Sequence, residues 1–169
     1  MIAAVGLTAL AVAGCGATRT VTKTVTVSAG AKTGPSAPLE ISEFGHIESL
    51  TRKGARFELR FDPAWLLSGT TAMHAKLEDT GSTDVPNDFY LVDEGHRLLT
   101  YNVPGTARVT IVATGAKGIH GAPITVSQLA ELVAGRNPLH HRLFEPLTTG
   151  FWIVVRNDTV RSLQQQYFP

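Results

Sequence analysis

The 169-residue sequence has a single cysteine, Cys15. One thiol excludes an internal disulfide and leaves no thiolate cluster for a structural metal. Absent too are a His-Glu-x-x-His pair, a Gly-x-Ser-x-Gly elbow, a Ser-x-x-Lys pair and a phosphate loop ending in Lys-Ser/Thr. Each is a local arrangement that its chemistry requires, so the commonest zinc-protease, serine-hydrolase and nucleotide-binding designs lack support. No apolar run reaches the roughly 20 residues of a bilayer-spanning helix. No acid occurs before Glu40. Aromatic residues make up only 7% of the chain, so the two tryptophans and three tyrosines can each be followed individually.

What is present begins at the N-terminus. Ile2 to Gly14 is uncharged and built of apolar and small residues, the size of a signal-peptide apolar core. Met1-Ile2-Ala3-Ala4 lacks the Lys or Arg that opens an ordinary leader. Val12-Ala13-Gly14-Cys15 resembles the bacterial lipobox, in which small residues precede a cysteine that is lipidated and becomes the first mature residue. The resemblance implies a lipoprotein signal peptide over residues 1–15, with diacylglycerol and palmitate-type chains on Cys15. It also implies a protein held on the extracytoplasmic face of the cell membrane. At about 0.8 kcal/mol per buried methylene, two or three acyl chains anchor stably where one does not.

Residues 16–38 contain no aromatic residue and no Leu, Ile or Met. Such a segment buries too little apolar surface to offset the entropy of ordering, and it reads as a flexible tether. Its Thr/Val alternation from Thr20 to Val27 has the period of a strand but offers only valine on one face. The tether carries Arg19, Lys23 and Lys32, which leaves 12 of the 15 Lys/Arg against all 14 Asp/Glu in the remainder. With no basic stripe in that remainder, nucleic-acid binding is not expected.

Residues 39–169 are long enough for a single globular domain with a real core. Arg56 to Phe61 alternates Phe57, Leu59 and Phe61 against charged residues, a half-buried strand, with Gly45 to Leu50 as its partner. Asp62-Pro63 is expected to end it. Thr70 to Asp79 favours a helix capped by Thr70 or Thr71. Val85-Pro86-Asn87-Asp88 signals a turn. Phe89 to Val92 and Arg97 to Val103 are expected to form a hairpin across Asp93-Glu94-Gly95-His96. Ala107 to Ala113 is another strand, and Gly115 to Pro123 reads as a glycine-rich loop. Thr125, or Ser127 if the helix starts later, should cap a helix that ends at Gly135. Phe151 to Arg156 and Thr159 to Leu163, joined by Asn157-Asp158, form a tight hairpin. The order β-β-α-β-β-β-α-β-β predicts an α+β, mainly β fold. Its form would be a compact antiparallel barrel or a strongly curved sheet with two short helices, an OB-like barrel being favoured.

Several stretches resemble exported or lipid-anchored bacterial proteins of unassigned function, chiefly of actinobacterial type. They are Gly45-x-Ile47-x-Ser49-Leu50, Phe61-Asp62-Pro63-x-Trp65-Leu66, Val85-Pro86-Asn87-Asp88-x-Tyr90, Phe151-Trp152-Ile153-x-Val155 and Gln165-Gln166-Tyr167-x-Pro169. The resemblance spans Gly45 to Pro169 and implies one domain outside the cytoplasm, with no particular chemistry.

For function, the aromatic residues lead. Trp65, Tyr90 and Tyr101 are the candidate binding-surface residues, because an apolar ring with a polar tip suits a recognition face. Trp152 lies in the strongest strand and is expected inside or half-buried. Asp93-Glu94-Gly95-His96 and His140-His141 read as solvated turn and loop segments, so no metal or cofactor is expected. The resulting expectation is a membrane-anchored, non-catalytic domain that binds an envelope protein or polymer, or that serves the envelope structurally. The alternative is an extracytoplasmic hydrolase whose site is assembled from Asp62, Asp88 and His96.

Overall fold

The computed structural model describes residues 39–169 apart from 94, 96, 117, 140 and 141. The expected signal peptide and Cys15, the tether at 16–38, Glu94, His96 and His140-His141 lie outside the described residues. The elements are β1 (Glu40–Lys53), β2 (Arg56–Ser68), α1 (Gly69–Thr80), β3 (Phe89–Val92), β4 (Leu99–Pro104), β5 (Arg108–Gly115), β6 (Gly118–Ile124), α2 (Val126–Val133), β7 (Phe151–Arg156) and β8 (Thr159–Gln165). The fold is α+β and mainly β.

Two hairpins set the frame. β1 and β2 turn at Gly54, whose φ of 62° is open to a residue without Cβ, and pair from Lys53↔Arg56 to Phe44↔Ala64. Phe57, Leu59 and Phe61 all fall on the core face of β2, as their alternation requires. β7 and β8 turn at Asn157 and Asp158, with φ of 50° and 55°. That is the two-residue, positive-φ turn whose twist matches its flanking strands. Phe151, Ile153 and Val155 point inward from β7, with Val160 and Leu163 from β8.

The sheet then bends back on itself. β1 pairs with β2 on one edge and with β7 on the other. β7 pairs with β8, β8 with β4 and β4 with β2. Bonding therefore runs β1-β2-β4-β8-β7 and returns to β1. This is a five-strand ring with α2 between the third and fourth members in chain order, the OB-like arrangement. Closure is thin. β4 meets β8 through one parallel bridge, Asn102↔Thr159, reinforced by Asn102 N–H donating to the Asp158 carbonyl at 3.0 Å. The result is a strongly curved sheet with ring-like bonding rather than a clean barrel. β8 also runs parallel to β5 from Arg108↔Ser162 to Thr110↔Gln164, and β6 continues the sheet beyond β5.

α2 packs across β1 and β5, burying Val126, Leu129 and Leu132 in the main core. Its start is the expected Thr125 cap, and the box is reciprocal. Gln128 N–H donates to Thr125 Oγ1 at 3.2 Å, and Thr125 N–H donates to Gln128 Oε1 at 2.9 Å. α1 starts slightly earlier than its sequence suggests, with Ser68 rather than Thr70 or Thr71 in the N-cap position and no side-chain cap bond. It ends where Gly81, at φ 74°, returns its N–H to the Leu77 carbonyl.

Three further expectations are corrected. Asp62-Pro63 does not end β2, which continues to Ser68. On its outer edge β2 pairs with β4 up to Phe61 and with β3 from Trp65, so Pro63 falls in a gap between partners where a missing donor costs little. β3 and β4 are consequently not a hairpin with each other: both lie along β2. The glycine-rich segment after Gly115 is not a loop but β6, paired with β5 from Gly115↔Gly118 to Val109↔Ile124. Its glycines and Pro123 are poor strand formers, but an edge strand with one partner tolerates them.

Candidate functional site

The ring is not bonded along its whole length, and the place where it opens is the candidate site. β1 and β2 pair only as far as Phe44↔Ala64. Beyond that, residues Glu40 to Glu43 stay with β7, while Trp65 to Ser68 stay with β3. The two strands part, and a notch of about 410 Å³ opens between them. Ser42, Glu43 and Phe44 form one wall, Pro63 to Leu66 the other, and Trp152 of β7 completes the lining.

Register explains the apolar floor. Phe44 is directly opposite Ala64 on β2 and Trp152 on β7, so the three side chains form a row across the sheet. Phe44 and Ala64 are buried, and Phe44 and Trp152 pack with ring centroids 5.2 Å apart, tilted. By strand alternation, this row lies on the face opposite to the one that carries Phe151 and Ile153 into the main core. Trp152 is half-buried, and its indole N–H donates to Gln166 Oε1 at 2.9 Å.

The three candidate aromatic residues separate sharply. Trp65 is 57% exposed and stands between the notch and a second, smaller hollow lined by Leu67, Ala75, Glu78, Asp79 and Val92. Tyr90 is half-buried on β3, and its hydroxyl donates to Asp79 Oδ2 at 3.2 Å, which ties it to α1 rather than leaving it on a free surface. Tyr101 is buried in the core at 8% exposure. It is a correction to the expected surface, because it sits opposite Leu59 on β2 and so points into the ring. Its hydroxyl reaches the notch wall from within, donating to Glu43 Oε2 at 2.7 Å.

Burial first, then the hydrogen bond to Glu43 and that carboxylate's charge, hold the Tyr101 phenol well above the ordinary tyrosine range. The folded state therefore favours the neutral phenol. Stability from this source is complete below the unfolded pKa of about 10 and is lost as pH rises from there through the folded value. An ultraviolet phenolate titration should show Tyr101 ionising above the free-tyrosine range, and the urea midpoint should fall above about pH 10. Tyr101→Phe should delete that late step and part of the fall. A Tyr101 that ionises like free tyrosine would contradict the assignment.

Of the alternative hydrolase trio, Asp62 and Asp88 are among the described residues and His96 is not. Asp62 lies within β2 with one carboxylate oxygen buried and unpartnered. Asp88 is exposed in the turn before β3, where Asn87 and Asp88 both take left-handed φ. Neither lines the notch. Among the described residues no group of three or more His, Cys, Asp or Glu is placed to hold a metal ion.

A larger groove, about 590 Å³, runs between the β5–β6 hairpin and the C-terminal residues. Part of its polar lining is engaged within the fold, while the Thr110 and Gln164 side chains also face it. Gln165 is bonded within the fold, Gln166 accepts from Trp152, and His120 Nδ1 lies 3.0 Å from the Gly118 carbonyl. The notch differs in lying between two strands that part, with an exposed indole at its lip. Sequence reasoning found Trp65 there but missed Glu43 and Phe44, since nothing local marks the point at which two paired strands separate. Compared with protein-family models, curated proteins and solved structures, the chain matches none of them, so the site stands on its own geometry.

Proposed function

We propose that this chain is a lipid-anchored extracytoplasmic domain that binds an envelope component without catalysing its conversion. The observation that carries the binding part is Trp65, a large apolar side chain 57% exposed at the lip of an apolar notch on a well-bonded sheet. Exposing an indole costs solvation free energy, and such residues are the usual anchors of recognition faces. The anchoring part is supported by Val12-Ala13-Gly14-Cys15 and by the acid-free segment that follows it. In this reading Cys15 holds the chain to the membrane and residues 16–38 link it to the domain. No helix among the described residues is long and apolar enough to cross a membrane.

Metabolic labelling with a radioactive or clickable fatty acid tests the anchor. The full chain should incorporate label and fractionate with membranes, and Cys15→Ala should lose both. Unchanged labelling and retention in Cys15→Ala would refute lipid anchoring at this residue.

A further inference from the structure

We propose that the notch between β1 and β2 receives an extended polypeptide segment bearing lysine or arginine, which adds as a strand along the free edges. The inference rests on the notch being a binding site and names the chemistry of what enters it.

The main chain supplies the first reason. Glu40 to Glu43 are paired with β7 on one side only, and Trp65 to Ser68 with β3 on one side only. The sides that face the notch have no strand partner among the described residues. A row of unpaired N–H and C=O groups is a template for another strand. Strand addition of this kind draws affinity from main-chain bonds and selectivity from alternate side chains. The floor of Phe44, Ala64 and Trp152 would take apolar side chains on alternate positions of the incoming segment.

Charge supplies the second. Among the described residues, Glu43 is the only charged one lining the notch, and Glu78 and Asp79 are the only charged ones lining the hollow on the other side of Trp65. No described cation lines either. An incoming ammonium or guanidinium would meet carboxylates on both flanks and the exposed indole face between them, where a cation gains further from the ring quadrupole. An acidic segment would meet only repulsion.

The test uses the full chain and a capped Val-Lys-Val-Lys-Val peptide, read by hydrogen exchange and tryptophan fluorescence. Glu40 to Glu43 and Trp65 to Ser68 should gain exchange protection as the peptide is added. Replacing both peptide lysines with glutamate, or Trp65→Ala in the protein, should each weaken binding about tenfold or more. N-methylation at alternate peptide nitrogens should abolish protection in one register and spare it in the other. Trp65→Ala should melt like the parent, since the indole is largely solvent-exposed.

Binding that ignores the lysine swap or leaves these amides unprotected would overturn the proposal. So would protection of the same amides before any peptide is added, which would mean that residues 16–38 or a second copy already fill the notch. Binding of a peptidoglycan fragment at Trp65, with no binding of peptide, would overturn strand addition while leaving the binding function standing. Failure of both probes to perturb Trp65 would count against both.

Discussion

Gln165→Leu is expected to lower the free energy of unfolding by about 3–5 kcal/mol, measured by urea denaturation at neutral pH. Gln165 is only 3% exposed and is the buried polar side chain among the described residues. Its Oε1 accepts the Val112 N–H at 2.9 Å, joining β8 to β5 just past the end of their main-chain pairing. Its Nε2 donates to the Glu145 and Pro146 carbonyls at 3.2 and 3.0 Å and to Thr149 Oγ1 at 3.3 Å. One amide thus fastens the segment before β7 to two strands. Leucine keeps the volume but strands a donor and several acceptors, each worth about 1–3 kcal/mol when buried and unsatisfied. Gln165→Glu should fare no better, because a carboxylate oxygen would face the carbonyls that Nε2 now serves. A loss under about 1 kcal/mol would mean that water replaces the amide and that the segment is loosely held.

Gly45→Ala is the second large effect, expected at about 3 kcal/mol or more. Gly45 lies within β1 opposite Pro63 on β2 and Phe151 on β7. A Cβ there would stand 2.8 Å from Pro63 Cα and 2.9 Å from the Asp62 carbonyl carbon, and would overlap the Asp62 carbonyl oxygen. These are backbone atoms of a paired strand, so no rotamer change relieves the contact. The strands would have to separate next to the place where they already part, which widens the notch as well as weakening the ring. Gly105→Ala is the matched control, with no atom within 4 Å of its new Cβ, and should melt within about a degree or two of the parent. Equal melting temperatures for the two variants would show that the β1–β2 pairing is slack at Gly45.

Much of the local structure was legible. Alternation in Arg56 to Phe61, the Asn157-Asp158 turn and the Thr125 cap each depend on a few consecutive residues whose conformational preferences act in isolation. Trp65 was singled out as an aromatic residue suited to a recognition face; it is 57% exposed, but within β2 rather than beyond the strand's end. Tyr101 was misplaced on the surface although alternation argues otherwise: it shares a face with buried Val103, while Thr100 and Asn102 point outward. The glycine-rich β6 was missed because its own residues disfavour a strand, and only the edge of β5 makes one of it.

From the sequence alone came the mainly β class, the two helices and the hairpins β1–β2 and β7–β8. These follow from side-chain period and turn chemistry, which are short-range. The tertiary structure decided which edges meet, and therefore where they fail to meet. The Val112–Gln165 bond joins residues 53 apart in sequence, and the Tyr101–Glu43 bond joins residues 58 apart. Such pairs are selected by the fit of the whole ring, because each strand edge can bond to any other and only the shared core determines the choice. The notch beside Trp65 is a product of that choice: β1 follows β7, β2 follows β3, and the gap between them belongs to no single stretch of sequence.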